Sequence, residues 1–102
     1  GHVDVVEALG RLKADVNMAW TDGVSPLFIA SQEGHVAVVE ALGRLKADVN
    51  MAWTDGVSPL FIASQEGHVA VVEALGRLKA DVNTARNDGA TPLYIASQNG
   101  HV

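Results

Sequence analysis

Apolar and polar positions along this chain alternate between two periods, and the switch between them recurs at a fixed interval. Val5, Leu9 and Leu12, with Val6 and Ala8 beside them, form one stripe at helical spacing, which predicts a helix from about Val3 to Leu12. Gly10 inside that stretch costs roughly 1 kcal/mol relative to Ala, and Lys13 to Asn17 lead out of the helix. Val16, Met18 and Trp20 then alternate with Asn17, Ala19 and Thr21, a period of two that suits an extended arm covered on one side. Asp22-Gly23 turns the arm, because Gly accepts a positive φ without steric cost and Asp can hydrogen-bond its own turn. Ser25-Pro26 opens the next helix: the Ser hydroxyl can accept from a free N–H, and Pro at the first helical position gives up a donor that had no partner. Leu27, Ala30 and Ile29 supply the packed side of that helix, and Gly34 ends it.

This order of arm, turn, helix, corner and helix returns in phase. The stretch Ser25 to Val36 recurs as Ser58 to Val69 and, with substitutions, as Thr91 to Val102, and His2, His35, His68 and His101 stand 33 residues apart. A fixed period of that length marks an all-α repeat solenoid whose units contact their neighbours. The chain divides as one solenoid over 1–102, with a second-helix half repeat at 1–17, full repeats at 18–50 and 51–83, and a turn and first-helix half repeat at 84–102. Residues 51–83 repeat 18–50 without a change, and 1–17 differ from 34–50 only in Asp4 against Ala37. Such identity implies very recent duplication or deliberate design. Residues 84–102 differ from 51–69 at seven positions: Thr84, Arg86, Asn87, Ala90, Thr91, Tyr94 and Asn99.

Composition narrows the function classes. With 48% hydrophobic residues the chain is too apolar to be disordered. A formal charge of -5 with only seven Lys and Arg lacks the basic excess that neutralises phosphates or an anionic membrane, so nucleic acid and membrane surfaces are poor partners. Without cysteine there are no disulfides or thiolate metal sites. No apolar run approaches the roughly 18 residues of a spanning helix, and neither a signal-peptide core nor an Asn-x-Ser/Thr acceptor is present. The chain reads as a soluble protein, intracellular if natural.

The repeated residues resemble the ankyrin repeat, a β-turn and two helices in 33 residues with a T-P-L-H-x-A signature. That signature stands here as Thr91-Pro92-Leu93-Tyr94-Ile95-Ala96 and as Ser25-Pro26-Leu27-Phe28-Ile29-Ala30. The Gly-His that opens the second helix stands at Gly34-His35 and Gly67-His68, and the closing Ala-Asp-Val-Asn at Ala14 to Asn17, Ala47 to Asn50 and Ala80 to Asn83. The chain departs from the family at Phe28, Phe61 and Tyr94, where His is usual, and at Trp20, Trp53 and Arg86, where Asp is usual. It also carries Gly10, Gly43 and Gly76 where Leu is usual, and Lys13, Lys46 and Lys79 where Gly is usual. A Lys in the left-handed conformation that Gly normally fills stores strain on the order of 1 kcal/mol.

The resemblance implies a non-catalytic scaffold that binds a protein or peptide through its turn tips and the exposed side of its first helices. The positions carried over are Thr21, Asp22, Val24, Gln32 and Glu33, and Thr54, Asp55, Val57, Gln65 and Glu66. Arg86, Asn87, Ala90, Tyr94 and Asn99, five of the seven differences in the last unit, fall on or beside the same strip, which is what a varied recognition face on a constant scaffold looks like. By residue type Met18, Trp20, Met51 and Trp53 are binding candidates, since Trp is enriched at hot spots and Met adapts to a partner. Rings one unit apart can equally stack on each other beneath the turns. Phe28, Phe61 and Tyr94, inside the helix-start signature, are expected to be partly buried packing.

The histidines do not spell a metal site. Equivalent atoms in stacked units should lie about 8 to 10 Å apart, whereas zinc ligands converge within about 2 Å of the ion; each His is expected to satisfy backbone groups at its corner. Ser31, His35 and Asp22 are of the types found in a catalytic triad, but their spacing does not bring nucleophile, base and orienter together, and there is no glycine-rich phosphate loop. Neither catalysis nor a cofactor is expected.

The two ends suggest a second role. Gly100-His101-Val102 duplicates Gly1-His2-Val3, and apolar Val5, Val6 and Leu9 at one end and Leu93, Ile95 and Ala96 at the other stand where stacked repeats need polar caps. A head-to-tail, non-closing contact between copies would cover both, making the alternative to a binding scaffold a structural array, or a slice of a longer solenoid, with no separate ligand.

Overall fold

Each first helix begins where the sequence supplies a cap. Ser25 Oγ accepts from the Phe28 N–H at 3.1 Å and Ser58 Oγ from the Phe61 N–H at 3.0 Å, with Pro at the next position; loss of such a cap costs about 1 kcal/mol. Gly34 and Gly67 end these helices at φ 76° and 75°, a left-handed conformation that a side chain would strain. A computed structural model of the protein describes residues 2–12, 14–19 and 24–101. Among them six α-helices follow in order: α1 (His2–Arg11), α2 (Pro26–Glu33), α3 (Val36–Arg44), α4 (Pro59–Glu66), α5 (Val69–Arg77) and α6 (Pro92–Gln98). The first helices α2, α4 and α6 pack in one row and the second helices α1, α3 and α5 in another, with α2 on α3 and α4 on α5 closing the two rows together.

Between the rows lies the main core, Leu27, Ala30, Val39, Leu42, Leu60, Ala63, Val71 and Leu75. A second cluster, Phe28, Val57, Phe61, Ile62, Ala90 and Ile95, joins the first helices to the arms. Phe61 is 0% exposed, and burying a ring of that size stabilises by about 1.5 to 3 kcal/mol.

The arms are narrower than an alternating strand pattern suggests, and no strand forms among the described residues. Trp53 N–H donates to the Val57 carbonyl at 2.7 Å and Gly56 N–H to the Trp53 carbonyl at 3.1 Å, so Thr54–Gly56 is a 3₁₀ turn between two extended residues, with Asp55 and Gly56 at φ 71° and 81°. Arg86 and Ala90 frame the next turn in the same way. The expected turn at Asp22-Gly23 lies outside the described residues.

Neighbouring units are tied at repeating points. His68 Nε2 lies 3.0 Å from the Gln32 carbonyl, and His101 Nε2 2.9 Å from the Gln65 carbonyl. A carbonyl only accepts, so Nε2 carries the proton in both. The histidines thus bridge to the preceding unit rather than to their own corner, because the adjacent glycine leaves the room: a Cβ on Gly34 would stand 2.9 Å from the His68 ring. Asn17 Oδ1 accepts from the Asp48 N–H at 2.7 Å, and Asn50 Oδ1 from the Asp81 N–H at 2.8 Å. Glu7 pairs with Arg44 and Glu40 with Arg77 at 3.0 and 3.2 Å on exposed surface, where such pairs contribute about 0 to 1 kcal/mol.

The second helices carry the main departures from the family pattern. Lys46 and Lys79 sit at φ 68° and 69°, so the strain inferred from the sequence is present at both; Lys13 lies outside the described residues. The helical glycines have a partner: a Cβ on Gly10 would stand 2.5 Å from Leu45 Cδ2, and one on Gly43 2.5 Å from Leu78 Cδ2. Each glycine is the hole for a leucine of the following unit. Gly76 has nothing within 4 Å of that position and borders an apolar groove with Leu60, Val69, Val72 and Leu93.

Gly43 and Gly76 have the same neighbours in sequence, so replacing each with Ala separates propensity from packing. Gly76→Ala should gain about 1 kcal/mol of helix propensity, whereas Gly43→Ala should gain less or lose stability because Leu78 must move. Urea unfolding of both variants checks this, and equal shifts in midpoint would contradict the hole-and-knob arrangement.

Candidate functional site

The turn tips and the outward side of the first helices form one strip, and Trp53, Arg86 and Asn99 on it are held by the preceding unit. Trp53 leans on Phe28 with ring centroids 5.5 Å apart and planes inclined by 52°, a tilted aromatic contact. One unit on, Arg86 takes the equivalent seat, its guanidinium carbon 5.1 Å from the centroid of Phe61, a cation–π distance. Trp53 thus stacks on the phenylalanine of the unit before; stacking of tryptophan on tryptophan, one of the two readings of the sequence, involves Trp20, which lies outside the described residues. The period places that phenylalanine next to the following arm, and its helix-start position keeps it buried. Trp53 itself remains 37% exposed, so one ring both staples the stack and faces solvent.

Asp88 holds Arg86 in place. Arg86 Nε donates to Asp88 Oδ1 at 3.0 Å and Arg86 Nη2 to Asp88 Oδ2 at 2.7 Å, a bidentate fork, and the Ala90 N–H donates to Asp88 Oδ1 at 3.2 Å. These bonds, the Arg86 fork first, lower the Asp88 pKa to about 2, and the fork raises that of Arg86. The Asn87 N–H donates to the Asp55 carbonyl at 2.6 Å, tying one turn tip to the next.

The remaining candidates divide by burial. Thr54, Asp55, Glu33, Glu66 and Asn87 are exposed, and Gln32, Gln65, Met51 and Arg86 are half-buried. Met18 is 69% exposed. Val57 is 8% exposed within the arm cluster and Val24 packs against that cluster; Val57 is thus withdrawn from the accessible strip, since its extended backbone turns the side chain towards Phe61. Trp20, Thr21 and Asp22 lie outside the described residues.

Three differences from the sequence expectation concern first-helix positions. Ile29 is 45% exposed, unlike its counterpart Ile62 at 6%; identical residues part company because only Ile62 lies in the cluster between two first helices. Ile29 forms an apolar pocket with Met18, Val24, Phe28, Gln32 and Trp53, residues that only the fold brings together. Tyr94, expected to be partly buried, is 58% exposed. Asn99 Nδ2 donates to the Gln65 carbonyl at 3.1 Å, so this substitution adds a tie between units; its exchange for Glu33 and Glu66 was the available signal.

Because Asp88 is held at about 2 while bonded, it contributes stability above its unfolded pKa, near the ordinary 3.8, and that contribution is lost as pH falls through about 2. Asp88→Asn should therefore show a shallower loss of stability than the parent chain between pH 4 and pH 2, read by denaturant unfolding at each pH. Parallel profiles would contradict the bonded carboxylate.

With the geometry in hand, two family models match. One described as "Ankyrin repeats (3 copies)" covers residues 44–102, and one described as "Ankyrin repeat" covers residues 22–53. A search of curated proteins finds no significant match. Ankyrin repeats are generally protein-interaction scaffolds and typically non-catalytic. A match over more than half of the chain, the in-phase repeat and the two rows of helices agree, and the chain belongs to the ankyrin repeat family.

Proposed function

We propose that the chain is a non-catalytic recognition scaffold, one solenoid built of the units 1–17, 18–50, 51–83 and 84–102, that holds a protein or peptide segment against its turn tips and first-helix side. The observation that carries this reading is the pair of equivalent seats at Trp53 and Arg86. Both side chains rest on the phenylalanine of the preceding unit, yet one presents an indole and the other a guanidinium bonded to Asp88. A scaffold that keeps its seats while changing what it presents can vary a partner surface without repacking its core. The apolar part of the strip, with Met18, Ile29 and Trp53, supplies a Trp, a type enriched at binding hot spots, beside an adaptable Met. Exposed Glu33, Asp55 and Glu66 weigh against phosphate-rich partners.

A second reading, a structural array that stacks copies end to end or forms a segment of a longer solenoid, is supported by a matching pair of surfaces. The groove beside Gly76 receives no knob, and Leu12, the counterpart of Leu45 and Leu78, is 78% exposed.

One experiment separates the two. The chain is used to select binders from a random-peptide display library, and its molar mass is followed by light scattering over a dilution series. The recognition reading predicts a constant mass and selected peptides that bind Met18→Ser and Ile29→Ser variants, both altered in the exposed pocket, about tenfold more weakly, the loss of roughly 1.4 kcal/mol, while Glu73→Lys on α5 has no effect. Mass that climbs with concentration, with no peptide selected, would replace it with the stacking reading.

A further inference from the structure

The charges of this chain are sorted between its two helix rows. Of its seven Lys and Arg, six stand in or just after the second helices: Arg11, Lys13, Arg44, Lys46, Arg77 and Lys79. Two of them are met by carboxylates of the same row, Arg44 by Glu7 and Arg77 by Glu40. The turn and first-helix strip has the opposite composition. Glu33, Asp55, Glu66 and Asp88 are exposed along it, and its one cation, Arg86, is bonded through both nitrogens of its fork to Asp88 and laid over Phe61. Asp22 occupies the turn position equivalent to Asp55 in the sequence. The strip therefore accounts for most of the net charge of -5, concentrated on the side that the binding reading assigns to a partner.

Gln32, next to Glu33 in the chain, and Trp53, two residues before Asp55, line an apolar pocket with Met18, Val24, Phe28 and Ile29. Among its lining residues none is basic, and its polar groups come from Ser25 and Gln32. An anchor of apolar or aromatic character would be desolvated there against the exposed faces of Ile29 and Trp53, and a flexible Met18 can adapt to its shape.

We infer that the partner of this strip is a cationic peptide segment with an apolar or aromatic anchor: the anchor enters the pocket beside Trp53 and flanking Lys or Arg side chains lie along Glu33, Asp55 and Glu66. This deepens the recognition reading above and rests on it. The carboxylates raise the encounter rate and select the sign of the partner, and the pocket supplies the residence time. An acidic segment with the same anchor would bring like charges together along the whole row, and a cationic segment without an anchor would be held only by exposed pairs that salt screens.

The test is a titration of the full chain, followed by tryptophan fluorescence, with three synthetic peptides of equal length. The first has one Phe flanked by Lys and Arg, the second has Glu at every basic position, and the third has Ala in place of Phe. The first should bind at least about tenfold more tightly than either of the others, a difference of 1.4 kcal/mol or more, and its advantage over the second should shrink as ionic strength rises. A Glu33→Gln, Glu66→Gln double variant should narrow that advantage several-fold while leaving helix content unchanged by circular dichroism. Equal binding of the first two peptides, or no binding of the first, would overturn the inference. The display selection keeps the two proposals apart: selected peptides that use the strip but are acidic or uncharged sink the cationic partner and leave the recognition reading standing, whereas no strip-dependent peptide at all removes both.

Discussion

Stacking by translation imposes the governing constraint on this molecule: whatever a unit shows on one side must fit what the next unit shows on the other. Because full units here are identical in sequence, a single side chain has to serve as knob to one neighbour while its companions form the hole for another. Leu45 entering the space above Gly10 and Leu78 the space above Gly43 meet that requirement in the second-helix row. His68 reaching back to the Gln32 carbonyl and Asn50 accepting from Asp81 meet it with polar groups. The helical glycines, which cost about 1 kcal/mol each in propensity, and the left-handed lysines at 46 and 79 are tolerated because the stack recovers more from dense contact between units than each unit loses alone.

The same constraint shapes the outer strip. A turn projecting from a stack has few neighbours, so its side chains need support from the unit behind, and the buried phenylalanine of each first helix provides it. Trp53 and Arg86 differ in every chemical respect except that both lie well on a ring, one by aromatic contact and the other through its charge. Where the residue is Arg, Asp88 fixes the fork and Ala90 completes the turn. Support from behind therefore leaves the outward half of the position open to change, which is how rigidity and variability coexist on one surface.

Most of the architecture is legible in the chain because its signals are local and repeated. Ser25-Pro26 and Gly34 specify a helix start and stop through hydrogen bonds that reach only a few residues, and the period of 33 turns one unit into the whole array. What depends on the next unit is less visible. The reason for Gly10 and Gly43 lies in a leucine 35 residues further on, and the histidines point across the unit boundary rather than into their own corner. Identical sequence also hides differences of place: Ile29 and Ile62 share every near neighbour in the chain, yet one is exposed and the other buried. On the strip, residue type singled out Met18 and Trp53, but the pocket they share with Ile29 appears only once α2 and the following arm are side by side.

If the seat on the phenylalanine of the preceding unit carries stability while the outward half carries recognition, the two can be separated at one residue. Trp53→Arg does so, since it installs in one unit the side chain that the next unit already seats at Arg86. Thermal unfolding and binding of the cationic Phe peptide would be measured on the same sample. The midpoint should stay within a few degrees of the parent, a change of about 1 kcal/mol or less, while binding weakens by about tenfold or more. A large fall in the midpoint with binding intact would contradict it, because the indole would then be a staple alone and recognition would lie elsewhere.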